Sequence, residues 1–223
     1  MTDRRSIRGR MVSCGENLCQ NKVMPPVNPT ARRLVLASTS RYRRELLERL
    51  GLRFETANPE TDEAPLAGES PSATATRLAI LKARAVALQF PDALIIGADQ
   101  VASCEGVILD KPGTHENARR QLTHMSGKAA RFDTAVALLD AASGFVASRV
   151  VPCDVVIRQL RPAQIENYLL REQPYDCAGS AKSEGLGIAL MERMDAEDPT
   201  ALIGLPLIAL TELLGEAGLP VLG

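Results

Sequence analysis

The stretch RLVLASTSRYRRELLERLG, residues 33–51, decides how the rest of the chain is read. Its first six residues are a short apolar run that suits a buried strand. Ser40 then stands where a helix cap belongs. Tyr42, Leu46, Leu47 and Leu50 make one apolar face, and Gly51 stops the helix. The odd feature is the first turn, which carries Arg41, Arg43 and Arg44. The positive end of a helix dipole disfavours cations and usually carries Asp or Glu. The free backbone N–H groups at that end form an anion site, and arginines belong there once a phosphate chain neutralises them. Three arginines pointing to solvent are the plain alternative. Ser38 and Ser40 offer hydroxyl donors to the same anion, with Ser40 explained equally well as a cap.

The 223 residues are 45% hydrophobic and 24% charged, enough for a full core. Only 3% are aromatic and none is Trp, so Leu, Ala, Val and Ile must fill that core. A net charge of −1 argues against salt-driven binding to nucleic acid or a membrane surface. No apolar run reaches the roughly 18–20 residues of a membrane span. Residues 1–30 begin basic, lack the apolar centre of a signal peptide and close on MPPVNP. They read as a disordered extension, with one domain over residues 31–223. Cys14, Cys19, Cys104, Cys153 and Cys177 are scattered without zinc-site spacing, which suits free thiols in a reducing cytoplasm.

Further along, SPSATATRLAILKARAVALQF reads as a long helix begun by Ser70–Pro71, with Leu78, Leu81, Ala85 and Leu88 on one side. ALIIGAD, residues 93–99, is the clearest buried strand, and VASCEGVILDKPG a short hairpin or crossing segment. A helix capped by Thr114 follows, with Ala118, Leu122 and Met125 inward. Antiparallel strands around the AASG turn come next, then a helix opened by Pro162 and a final apolar helix in LPLIALTELLGEAG. Helices and strands interleave, with both parallel crossovers and hairpins, so the fold class is α/β with a mixed sheet.

Three further groups carry chemistry. Asp99 ends a strand, where open α/β sheets present side chains to a ligand crevice. Glu60, Asp62 and Glu63 lie on an acidic loop, and one of them with Asp99 would hold a divalent cation. Lys82 on a helix and Lys111 before a rigid Pro offer point charges to phosphate. His115 and His124, nine residues apart on one helix, face different directions and do not pair as metal ligands. No nucleophile elbow and no Walker phosphate loop occurs.

Five segments in order, STSRYRRELL, PETDE, RLAILKA, IIGADQV and LDKP, resemble the Maf family of nucleotide pyrophosphatases over residues 33–222. The resemblance implies an elongated mixed β-sheet flanked by helices, a Maf/ITPase-like fold of two lobes with a central cleft. It implies hydrolysis of a nucleoside triphosphate between the α and β phosphates, assisted by a divalent metal such as Mg2+ or Mn2+. Ser38, Arg43 and Lys111 would bind phosphate, Lys82 would add a basic group, Glu63 and Asp99 would hold metal, and Asp99 would accept the proton of the attacking water. A homodimer is implied as well.

Tyr42, Gln100 and Glu184, with the segments CAGSAKSEGLGI and DPTALIGLPLIAL, are similar to the YceF-like branch acting on 7-methyl-GTP. The branch acting on dTTP and UTP usually has Arg, Thr and Gln at those three positions. An aromatic face and a carboxylate both favour a purine made cationic by N7-methylation. Binding without turnover, as in a cell-division regulator, is the alternative from another class, and keeping Asp99 argues against it. Two departures stand out. Arg41 occupies a position that is Pro in the family, which marks it as the solvent-facing arginine, and Ala98 stands where Ser is frequent.

Overall fold

Residues 32–222 are described by a computed structural model. The expected extension over residues 1–30, with Cys14 and Cys19, lies outside the described residues. The opening apolar run is β1 (Leu34–Ala37), buried along its whole length, and α1 (Arg41–Glu48) follows one turn later. Then come β2 (Glu55–Ala57), α2 (Pro71–Ala87), β3 (Leu94–Cys104), β4 (Val107–Ile108), α3 (His115–Met125), β5 (Ala129–Asp140), β6 (Val146–Ile157), α4 (Pro162–Glu172), β7 (Met191–Ala196) and α5 (Leu207–Glu216). Side chains of Ser70 and Thr114 cap α2 and α3, and Pro162 opens α4. Neither β2, inside the acidic loop, nor the polar edge strand β7 has an apolar run to announce it.

One mixed sheet joins the strands in the order β2-β1-β3-β5-β6-β7, with β4 folded back on β3. β1 runs parallel to β2 and β3, and every other pairing is antiparallel. The 11 residues of β3 and 12 each of β5 and β6 are long enough to serve two cores on one sheet face. At one end Leu36, Ile96 and Leu138 meet Leu46 and Leu47 of α1 and Leu210 and Leu214 of α5. At the other, Cys104, Phe132 and Ile157 meet Leu122 and Met125 of α3 and Leu169 of α4. These clusters are the two lobes.

On the other face α2 packs with Ala75 and Ala79 against Ala135 and Ala137, and with Ala83 and Val86 against Val35 and Ile95. The expected apolar side of α2 is therefore not the buried one: Leu78 is buried, whereas Leu81, Ala85 and Leu88 are exposed. The reason is at Gly97. A Cβ there would lie 2.0 Å from the Ala79 carbonyl oxygen and 2.9 Å from the Ala83 nitrogen. The helix rests directly on the sheet, and only small side chains fit between them.

Candidate active site

That close contact sets the position of Lys82, one turn past Ala79 on the same face of α2. Its ammonium donates to Asp99 Oδ1 at 2.6 Å and lies 2.9 Å from Glu63 Oε1. Lys82 and Asp99 are almost wholly buried, whereas the Glu63 side chain is 54% exposed on the 58–70 loop. Of the acidic cluster only Glu63 reaches the lysine; Asp62 accepts from the Ala64 N–H. Asp99 does not end its strand, as expected, because β3 continues to Cys104 along β5. The strand that ends is the neighbour. β1 stops at Ala37, and its register with β3 ends at Leu36 opposite Ile96, so the crevice opens beside Asp99. Ala98 points the other way, into the core under α1 and α5.

The helix that follows β1 supplies the opposite wall. Ser40 caps α1 by accepting from the Arg43 N–H, and Ser38 Oγ accepts from the Ser40 N–H at 3.1 Å. Arg43 is anchored by donating Nε to the Gly204 carbonyl at 2.9 Å. Burial lowers its pKa from the usual arginine value, and Asp99 and Glu63 oppose that shift. Arg44, rather than Arg41, is the arginine that turns away: it pairs with Glu48 one turn on at 3.0 Å. Arg41 folds over the Tyr42 ring, 4.6 Å from its centroid, and donates to the Tyr42 hydroxyl at 2.7 Å. An aromatic face attracts a cation, which keeps Arg41 at the site. The plain alternative thus fits Arg44, whereas Arg41, also exposed, stays against the Tyr42 ring.

Ser38, Tyr42, Arg43, Glu63, Lys82, Asp99 and Lys111 all line one cavity of about 570 Å3. A second cavity of about 340 Å3 shares Glu63, Asp99 and Lys111 with it. Gln100 lines only the second. Its Nε2 group is turned to Thr134 Oγ1 at 2.9 Å and to the Ala201 and Leu202 carbonyls at 3.0 and 3.1 Å. Gln100 thereby braces the turn that leads to Gly204, the acceptor of Arg43. Glu184 lines neither cavity and is exposed on the 173–190 loop.

That loop meets the first helix across the cleft. The Tyr42 hydroxyl donates to Asp176 at 3.3 Å, and Cys177 lies beside it. Burial pushes the Tyr42 hydroxyl up to about 12 and the Cys177 thiol up to about 12. Glu172, at the end of α4, ties the loop down by accepting from Lys182 Nζ at 2.5 Å and from the Leu186 N–H at 2.7 Å. Lys182 stands 6.0 Å from the Tyr42 ring centroid. Sequence reasoning passed over Asp176, Glu172 and Lys182. No local pattern marks them, since their partners lie at least ten residues away or on the other lobe. Gly97 did carry a signal, because a lone Gly in an apolar strand marks a close backbone approach.

Against known proteins, the family described as Maf-like protein matches residues 33–217. A 7-methyl-GTP pyrophosphatase of Thiobacillus denitrificans is 61% identical over 86% of this chain and 96% of its own length. One of Polaromonas sp. is 58% identical over 86% and 88%. Among solved structures, the Staphylococcus aureus Ham1 protein is 15% identical over 57% of this chain and 73% of its own, at a TM-score of 0.42. The motif order, the family match over residues 33–217 and the two pyrophosphatase relatives lead to one conclusion: the chain belongs to the Maf family.

Proposed function

We propose that this chain hydrolyses 7-methyl-GTP to 7-methyl-GMP and pyrophosphate. The observation that carries the reading is the buried Lys82–Asp99 pair, with Glu63 on the same ammonium, facing a helix N-terminus armed with Arg43 across one cavity. The relatives named 7-methyl-GTP pyrophosphatase support the choice of nucleotide.

In this reading Ser38, Arg43, Lys111 and the first turn of α1 hold the phosphates, as a helix N-terminus with added cations does. Lys82 occupies Asp99 Oδ1, which leaves Oδ2 to take the proton of the attacking water. The water oxygen bonds to the α phosphorus, the bond from that phosphorus to the bridging oxygen breaks, and pyrophosphate departs with the bridging oxygen and the electron pair. Among the described residues no cluster of three or more His, Cys, Asp or Glu side chains is built to hold a metal. Glu63 and Asp99 nevertheless fit Mg2+ or Mn2+, which bind through one or two carboxylates with substrate phosphates completing the ligands. Such an ion supplies charge neutralisation at the phosphates and lowers the pKa of water. Tyr42 lines the first cavity itself, Gln100 adjoins the site through the second, and Glu184 through the loop that bears Asp176.

The three described cysteines are unpaired, which suits action in the cytoplasm. A homodimer is part of the proposal, and sedimentation equilibrium of the purified chain checks it. The function itself is tested by pyrophosphate release from a nucleotide panel, with magnesium or manganese, by wild type and Asp99→Asn. Turnover of 7-methyl-GTP that Asp99→Asn abolishes is expected. Turnover mainly of dTTP or UTP overturns the substrate, and release from no nucleotide overturns the reaction.

A further inference from the structure

We infer that the second cavity, walled by Leu78, Val101, Ile108, Leu109 and Ala178, receives the cationic purine of the substrate, while the first receives only its phosphate chain. This rests on the pyrophosphatase reading and adds where the base sits.

The two cavities differ in chemistry and meet at the reacting groups. The first has Ser38, Thr39, Ser40, Arg41, Arg43 and Lys82, hydroxyls and cations suited to phosphate oxygens, with the carboxylates of Glu60 and Asp176 also on its wall. The second has the aliphatic side chains of α2, β3 and β4, together with Pro65, Pro71 and Ala178. Ligand sites for flat organic groups are mostly apolar with a few placed polar groups, and about 340 Å3 accommodates a purine. Glu63, Asp99 and Lys111 form the shared boundary. A nucleoside triphosphate has the same division: an apolar, flat base on one side of the α phosphate and a polyanion on the other. Only one orientation puts the α–β bridge at Asp99 with each part in a cavity of matching polarity.

Charge sharpens the assignment. The second cavity has four carboxylates, Glu63, Glu69, Asp99 and Asp110, against one lysine, Lys111. Arg77 neutralises Glu69 from behind, at 2.8 Å. Glu63 and Asp99 are shared with the first cavity and face Lys82, so the carboxylate of the second cavity left to favour a base carrying positive charge is Asp110. Asp110 is exposed at the rim, and Gln121 donates to its backbone carbonyl at 2.7 Å. Ala178 is supplied by the loop that also bears Glu184, and Gln100 by β3. Tyr42 contributes from outside, through the Asp176 bond that holds this loop against the first lobe.

Calorimetry on the full chain with two probes tests the assignment: the α,β-methylene analogue of 7-methyl-GTP, which is not cleaved at that bond, and inorganic tripolyphosphate. Ala178→Leu, which fills the cavity, is expected to weaken the analogue by about tenfold or more while tripolyphosphate binds as to wild type. Retained tripolyphosphate binding also shows that the variant is folded. Ile108→Ala, at a residue 46% exposed, should weaken the analogue by about threefold and leave tripolyphosphate unchanged. It decides the matter where Ala178→Leu fails to fold. Asp110→Asn should cut the preference for the methylated over the unmethylated analogue by about threefold. Unchanged analogue binding in both Ala178→Leu and Ile108→Ala overturns the inference, as does analogue binding lost in Tyr42→Ala but intact in both. Because binding is read without turnover, a wild type that hydrolyses nothing overturns the reaction and leaves the cavity assignment to these measurements.

Discussion

Two lysine–carboxylate pairs, one in each lobe, look alike in geometry and differ in what surrounds them. Lys182 and Glu172 are 2.5 Å apart with side chains 20% and 11% exposed; Lys82 and Asp99 are 2.6 Å apart at 6% and 8%. At Glu172 the second oxygen is taken by the Leu186 N–H, and a Cβ on Gly185 would lie within 3 Å of the carboxylate, so both carboxylate oxygens are occupied and hemmed in by the loop. At Asp99 the lysine is shared with Glu63, so two carboxylates face one ammonium at the wall of the cavity. A low-polarity setting makes uncompensated charge costly, so such a site persists where a ligand completes it. The closed pair is a fastener for a loop. The open one is where the proposed function puts the chemistry.

The largest effect that separates them is on rate. Asp99→Asn should lower kcat for nucleotide hydrolysis by about a thousandfold, since a positioned general base contributes on that order. Glu172→Gln should leave kcat nearly unchanged, and steady-state kinetics on both variants reads the contrast. Stability gives the next test. Lys82→Met strands the buried Asp99 carboxylate and should cost about 3 kcal/mol in urea unfolding. The double variant Lys82→Met/Asp99→Leu should recover most of that loss while remaining inactive. Failure of the double variant to recover would mean that the pair holds the fold together, as Glu172 and Lys182 do.

Gly97→Ala tests how the open pair is aimed. The added Cβ would meet the Ala79 carbonyl at 2.0 Å, so α2 must lift from the sheet and carry Lys82 away from Asp99. We expect a loss of about 3 kcal/mol, roughly 6–12 °C in Tm, with activity falling further than stability explains.

The same glycine shows what the sequence discloses and what it withholds. Caps, apolar runs and turns made β1, α1, β3, α3, β5, β6 and α4 readable, because each rests on neighbours within a few residues. The apolar side of α2 was misread, since Leu81 and Leu88 outrank alanines in hydropathy, and only the approach at Gly97 shows that small residues are inside. At the site, Ser38, Arg43, Glu63, Lys82, Asp99 and Lys111 were named by type and motif, and they do share one cavity. Gln100 and Glu184 were placed with Tyr42 by resemblance; in the structure Gln100 braces a turn, and Glu184 is exposed on the loop whose Cys177 and Lys182 lie against Tyr42. Contacts such as Tyr42–Asp176, 134 residues apart, leave no trace in a linear pattern.

Between the two kinds of pair stands a third, Glu69 with Arg77, at the edge of the second cavity. Arg77 donates Nε to one carboxylate oxygen and Nη2 to the other, each at 2.8 Å, with Thr74 adding a bond at 2.9 Å. The guanidinium holds the Glu69 carboxyl down to about 2, against a smaller opposing effect of burial, with the Thr74 hydroxyl and the Leu66 N–H helping. A carboxyl whose pKa is lower folded than unfolded contributes stability above its unfolded value, and that stability is lost as pH falls through the folded value. The difference in urea midpoint between wild type and Glu69→Gln should therefore be constant from about pH 7 to pH 5, then narrow below about pH 4.5 and vanish near about pH 2. A difference that persists unchanged near about pH 2 would show that the loop relies on the shape of Glu69 rather than its charge. Glu69 would then belong with the closed fasteners, holding its loop by fit.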